Sequence, residues 1–132
     1  MKAMRGAAFW LCLAGVNGAL GIGAAAFGAH GLENQIPATD LAAFRTGAEY
    51  QIYHAIALFT LGGWLRNETA PVAAFRLCGW LFLMGILLFS GSLYFLGLTG
   101  SRALVLLTPV GGLAFLAGWL ALVHAAWRLR SH

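Results

Sequence analysis

FRTGAEYQIYH, from Phe44 to His54, carries the densest set of polar side chains in a chain otherwise built largely of Ala, Gly, Leu and Phe. At helical spacing Arg45 and Glu49 stand one turn apart on one face, and Thr46, Tyr50 and His54 follow one another on the neighbouring face. Leu41 to Leu65 reads as one helix, charged and amphipathic in its first third and uncharged from Tyr50 onward. Its charged third either enters the headgroup zone or pairs Arg45 with Glu49 against protein. Counted as a crossing, it makes the chain a four-helix bundle. Gly47, which costs about 1 kcal/mol of helix propensity, points to a close backbone approach or a break at that position.

The surroundings decide the solvent. Hydrophobic residues make up 61% of the 132 residues and charged ones 9%, with a mean hydropathy of +0.81, whereas charged residues form about a quarter of soluble domains. An all-α integral membrane protein of a single domain, residues 1–132, follows. The net charge of +4 does not point to nucleic acid, because the basic residues stand singly at the ends of apolar runs. They read as topology signals and snorkelling anchors. Cys12 and Cys78 lie inside apolar runs without a CxxC spacing and read as packing residues.

Working outward, residues 6–29 are free of charge and span about 36 Å as a helix, enough for a hydrocarbon core of about 30 Å. The basic start and Ala24-Ala25-Ala26 resemble a signal peptide, but the run is long for one and reads as a retained helix. Ala14, Gly18, Gly21, Ala25 and Gly28 form a stripe of small residues suited to close helix packing. Asn17, the strongly polar side chain of that run, requires a partner on another helix. A short polar connection follows, with Thr39 or Asp40 as the expected cap of helix 41–65. Beyond a polar turn at 66–76, which carries the formal sequon Asn67-Glu68-Thr69, the third helix covers 77–96. Cys78, Gly85 and Ser92 recur in it every seven residues, and Ser90 and Ser92 flank Gly91 near its end. The fourth helix covers 103–127, with a kink expected at Thr108-Pro109. Gly111, Ala114, Gly118, Ala121 and Ala125 repeat the small-residue stripe, and His124 reads as an interfacial side chain.

Lys2, Arg5, Arg66, Arg76, Arg128 and Arg130 fall on one side of this topology, and Arg45 and Arg102 on the other. Both termini are therefore expected in the cytoplasm. Trp10, Trp64, Trp80 and Trp127 lie toward the same side, and Tyr50, Tyr53 and Tyr94 toward the opposite one.

Four motifs in order carry a resemblance: AAFGAHGL (Ala25 to Leu32), F-x-T-G-x-x-Y-Q-x-x-H (Phe44 to His54), L-F-x-x-G-I-x-L-F-S-G-S-L-Y (Leu81 to Tyr94) and T-P-x-G-G (Thr108 to Gly112). The chain resembles domain-of-unknown-function family 423, which includes YgdD-type and transmembrane-protein-256-like small membrane proteins. The resemblance implies a small four-helix protein of the bacterial inner membrane and implies no reaction.

The candidate polar site comprises His30, Arg45, Thr46, Glu49, Tyr50, Gln51 and His54, with Asn17, Ser90 and Ser92. The reading that fits the short loops and small-residue stripes is a compact scaffold or accessory subunit. Its partners are the lipid bilayer and a membrane-protein partner or a second copy; no cofactor or metal is expected. Transport of a proton, ion or small solute past Arg45, Glu49 and His54 is the alternative, since ionisable groups inside a span mark functional sites. A metal or enzyme site at His30, Glu49 and His54 is the second, although no HExxH, phosphate loop or nucleophile elbow accompanies it.

Overall fold

The computed structural model describes residues 2–66 and 72–130, with side chains from Met4 onward; the Asn67-Glu68-Thr69 sequon lies outside the described residues. Among the described residues four helices follow one another: α1 Lys2–His30, α2 Ala38–Trp64, α3 Val72–Thr99 and α4 Leu107–Leu129. Residues Ile86–Ser90 of α3 form a π-turn between two α-helical stretches. The first three helices reach beyond the apolar runs that announced them, because hydropathy marks where a helix meets lipid and the backbone ladder continues through flanking residues such as Arg5 and Arg76.

Two local expectations are corrected. Thr39 and Asp40 do not cap α2: Pro37 is the N-cap and its carbonyl accepts the Leu41 N–H at 3.0 Å. Thr39 Oγ1 reaches only the neighbouring Asp40 carboxylate, at 3.5 Å. Nor does Thr108-Pro109 kink a helix, since α4 starts at Leu107 rather than 103. Pro109 therefore falls in the first turn, where a missing N–H costs nothing. At the end of α3, Gly100 takes the left-handed conformation (φ 68°) and its N–H closes on Leu96 O at 2.8 Å.

Neighbouring helices run antiparallel. Along α1 and α2, Gly18 meets Ala55, Gly21 meets Ile52 and Leu11 lies over Gly62. Along α3 and α4, Phe82 lies over Gly118, Phe89 over Gly111 and Phe115 over Gly85. Both predicted small-residue stripes thus act as seats for a facing helix, as packing without a hydrophobic drive between helices requires. The α2 helix also packs on α3, where Gly47 lies against Leu93 and Phe44 over Gly97. Gly47 is therefore a close approach, not a break. Trp10, Leu58, Phe75, Cys78, Phe82 and Phe115 anchor the core.

The outward faces are apolar: Leu87 is 69% exposed and Val123 63%, a surface that lipid satisfies and water does not. The chain is an integral membrane protein. Three of its helices, α1, α3 and α4, are long and apolar enough to cross a bilayer. The α2 helix falls short on composition, through Arg45, Glu49, Gln51 and His54, and not on length.

Candidate functional site

Polar groups enter the bundle along α2, and each finds a partner there. Gln51, 5% exposed, donates from Nε2 to Asn17 Oδ1 at 3.0 Å and accepts the Tyr94 hydroxyl at Oε1, 2.6 Å away. Asn17 in turn donates to Leu13 O at 2.9 Å. One amide on α2 thereby ties α1 to α3 in a region where water is absent and an unmade hydrogen bond is costly. Asn17 has the interhelical partner its position demanded.

One turn further along α2, His54 is 4% exposed. Its Nδ1 lies 2.7 Å from Tyr50 O, and Trp119 Nε1 donates to its Nε2 at 3.1 Å. A carbonyl only accepts and an indole N–H only donates, so the two partners specify a neutral imidazole with its proton on Nδ1. The ring stacks on Phe115 with centroids 3.6 Å apart and 10° between planes. His54 is a structural clamp between α2 and α4. We expect His54→Phe to lower the unfolding free energy by about 1–3 kcal/mol, because the Trp119 N–H loses its acceptor. His54→Gln, which keeps an acceptor, should recover part of that loss; equal losses in a detergent-denaturation series would contradict the clamp.

The serines close a third set. Ser90, fully buried at the end of the π-turn, donates to Gly47 O at 2.7 Å. Ser92 bonds Phe89 O at 2.9 Å and shares a 2.6 Å contact with Thr108 Oγ1, joining α3 to the start of α4.

These sets are separate, and the charged residues of the opening motif take no part in them. Arg45 and Glu49 are exposed and no ion pair joins them; Thr46 bonds back to Ala42 O at 3.0 Å. His30 is exposed at the end of α1, and Tyr50 lies outside on Phe89, centroids 4.7 Å apart. The metal alternative is corrected: His30, Glu49 and His54 are not gathered. Among the described residues no group of three His, Cys, Asp or Glu side chains stands close enough to hold an ion.

Sequence reasoning missed Trp119 as a partner and missed the open space beside Gln51. Trp119 carried a signal, since it sits in the middle of α4, away from the interfaces where membrane tryptophans collect. The space is a groove of about 790 Å³ between α1 and α3. Asn17, Gln51 and Tyr94 form its polar floor, while its walls include Leu20, Leu87 and Leu98. Gly23 and Gly91 also line it, and a Cβ at either would meet nothing within 4 Å. After the hydrogen bonds above, Asn17 and Gln51 each retain one N–H.

Comparison with known proteins finds relatives named as membrane proteins. The family model described as "Protein of unknown function (DUF423)" matches residues 24–112. UPF0382 membrane protein YwdK of Bacillus subtilis (strain 168) is 42% identical over 117 residues, covering 89% of this chain and 94% of its own. A UPF0382 membrane protein of Haemophilus influenzae is 38% identical over 123 residues, 92% of this chain and 96% of its own. UPF0382 inner membrane protein YgdD of Escherichia coli (strain K12) is 37% identical over 123 residues, 92% of each chain. No solved structure matches. With two thirds of its length inside the family model and relatives aligned almost end to end, this chain belongs to the DUF423 family of membrane proteins.

Proposed function

We propose that the chain is a four-span scaffold of the bacterial inner membrane, both termini cytoplasmic, that holds the apolar chain of a bilayer lipid in the groove between α1 and α3. The observation that carries this reading is the groove itself. Its volume of about 790 Å³ falls within the range of ligand sites, about 300–1,000 Å³, and its walls are almost wholly apolar. The glycines at 23 and 91 leave slots suited to a thin, flexible chain. The four-span count draws support from the antiparallel course of α2 along α1, which carries it through the same depth. The cytoplasmic termini rest on the basic residues gathered at one end, and the choice of membrane on the Escherichia coli relative, an inner membrane protein by name.

The test fills the groove without touching the helix contacts. Gly23→Leu/Gly91→Leu is expected to leave the far-ultraviolet spectrum intact and to lower by about tenfold the occupancy of one co-purifying lipid, seen by native mass spectrometry as a bound-lipid count reduced by one. An unchanged lipid count would end the reading. A protein that stays bound while lipid is lost would replace it with that of an accessory subunit.

A further inference from the structure

A second recess lies at the end of the bundle that carries the termini. It holds about 450 Å³ and is lined by Arg5, Gly6, Phe9 and Trp10 of α1 and by Arg76 and Trp80 of α3. It shares the α1–α3 seam with the groove, since Arg76, Trp80, Leu83 and Leu87 recur at intervals of four, three and four along one face of α3. Between the two spaces Trp10 enters the slot left by Gly79 and closes the seam.

The recess differs from the groove in its charge. Arg76 reaches across the seam: its Nη2 stands 3.2 Å from the place a Cβ on Gly6 would take, so the guanidinium rests on the α1 backbone. Arg5, the residue before Gly6 on α1, lines the same space. Both arginines are exposed at the rim, where their guanidiniums are open to a headgroup from the membrane surface. Their walls are three mutually packed aromatic rings, Phe9 and Trp80 each against Trp10 with centroids 5.3 Å apart, and Phe9 against Trp80 at 6.0 Å. Among the described residues no carboxylate lines the recess. Glu33, Asp40 and Glu49 belong to the opposite half of the bundle, and Glu68 lies outside the described residues.

Two guanidiniums on the rim of one recess with an aromatic floor attract an anion more strongly than either does alone. Guanidinium forks match phosphate oxygens two at a time. Tryptophan beside arginine at a helix end is the setting of the lipid headgroup layer. We propose that this recess binds the phosphate of an anionic glycerophospholipid in the leaflet next to the termini. This inference does not rest on the groove, which lies deeper and carries no charged side chain.

The test is native mass spectrometry of the full chain in mild detergent with equimolar phosphatidylglycerol and phosphatidylcholine. The unaltered protein should retain phosphatidylglycerol at least about tenfold over phosphatidylcholine. Arg5→Gln/Arg76→Gln should fall to parity, while Arg128→Gln/Arg130→Gln, which removes the same charge elsewhere on that end, should keep the preference. Gly6→Val keeps both charges but displaces the Arg76 guanidinium, and should also lose it. The groove-filled Gly23→Leu/Gly91→Leu protein should keep it, so the two sites fail or stand independently. The proposal is overturned if Arg5→Gln/Arg76→Gln retains the preference, if the Arg128/Arg130 control loses it equally, or if millimolar inorganic phosphate abolishes it.

Discussion

Gly111→Ala should break the α3–α4 hairpin, while Gly112→Ala, one residue along, should be tolerated. A Cβ at position 111 collides with the Phe89 backbone nitrogen, and meets Phe89 Cβ at 2.7 Å and Cα at 2.8 Å. No rotamer relieves a clash with backbone, so the helices must separate, and the cost lies at or above the upper end of the overpacking range, about 3 kcal/mol. A Cβ at 112 meets only the Phe89 ring, at the ordinary distance of 3.8 Å. There alanine should be neutral or stabilise by up to about 1 kcal/mol, by restricting the unfolded backbone. Unfolding both variants with a graded denaturing detergent reads the difference directly. Similar curves for the two would show that α4 does not meet α3 on this face.

Gln51→Leu should cost about 2–3 kcal/mol, although leucine matches the surrounding apolar surface. The glutamine is the middle member of a chain of three side chains on three helices. Its removal strands the Tyr94 hydroxyl and the Asn17 carbonyl oxygen together, each a polar group worth about 1–3 kcal/mol when left unpaired away from water. In membranes a single interhelical bond averages only about 0.6 kcal/mol, so the size of the effect depends on the two stranded partners. Adding Tyr94→Phe to Gln51→Leu should therefore cost less than Tyr94→Phe alone. Strict additivity would mean that Tyr94 and Gln51 do not share a bond in the bilayer.

Much of the fold was legible because a bilayer restricts what a chain can do. Four helical segments, the two small-residue stripes and the need of Asn17 for a partner all follow from the requirement that backbone and polar groups be satisfied without water. The candidate site was legible only in part. Gln51, His54, Ser90 and Ser92 do stand buried, but Arg45, Glu49 and His30 face outward. Helical spacing places residues on faces of α2 without revealing which face meets a neighbour. Periodicity also cannot show where two helices part, so the groove beside Gln51 left no mark on the sequence. Arg5 and Arg76 stand at one end of the bundle, as their places at the ends of apolar runs require, yet the recess they share depends on Gly6, over which Arg76 lies, and on the fit of Trp10 into Gly79.

The π-turn at Ile86–Ser90 makes α3 in effect two helices set at different angular phases on one axle. A π-turn is an α-helix with one additional residue, so the stretch beyond it is rotated by about 100° relative to an unbroken helix. Before the turn α3 presents Phe82 to Gly118 of α4; beyond it, Leu93 and Gly97 face Gly47 and Phe44 of α2. A single inserted residue thus lets one helix keep register with two partners whose seats are out of phase. Its deletion would force a choice between them, turning either the Ser90 hydroxyl away from Gly47 or the Phe82 ring away from Gly118.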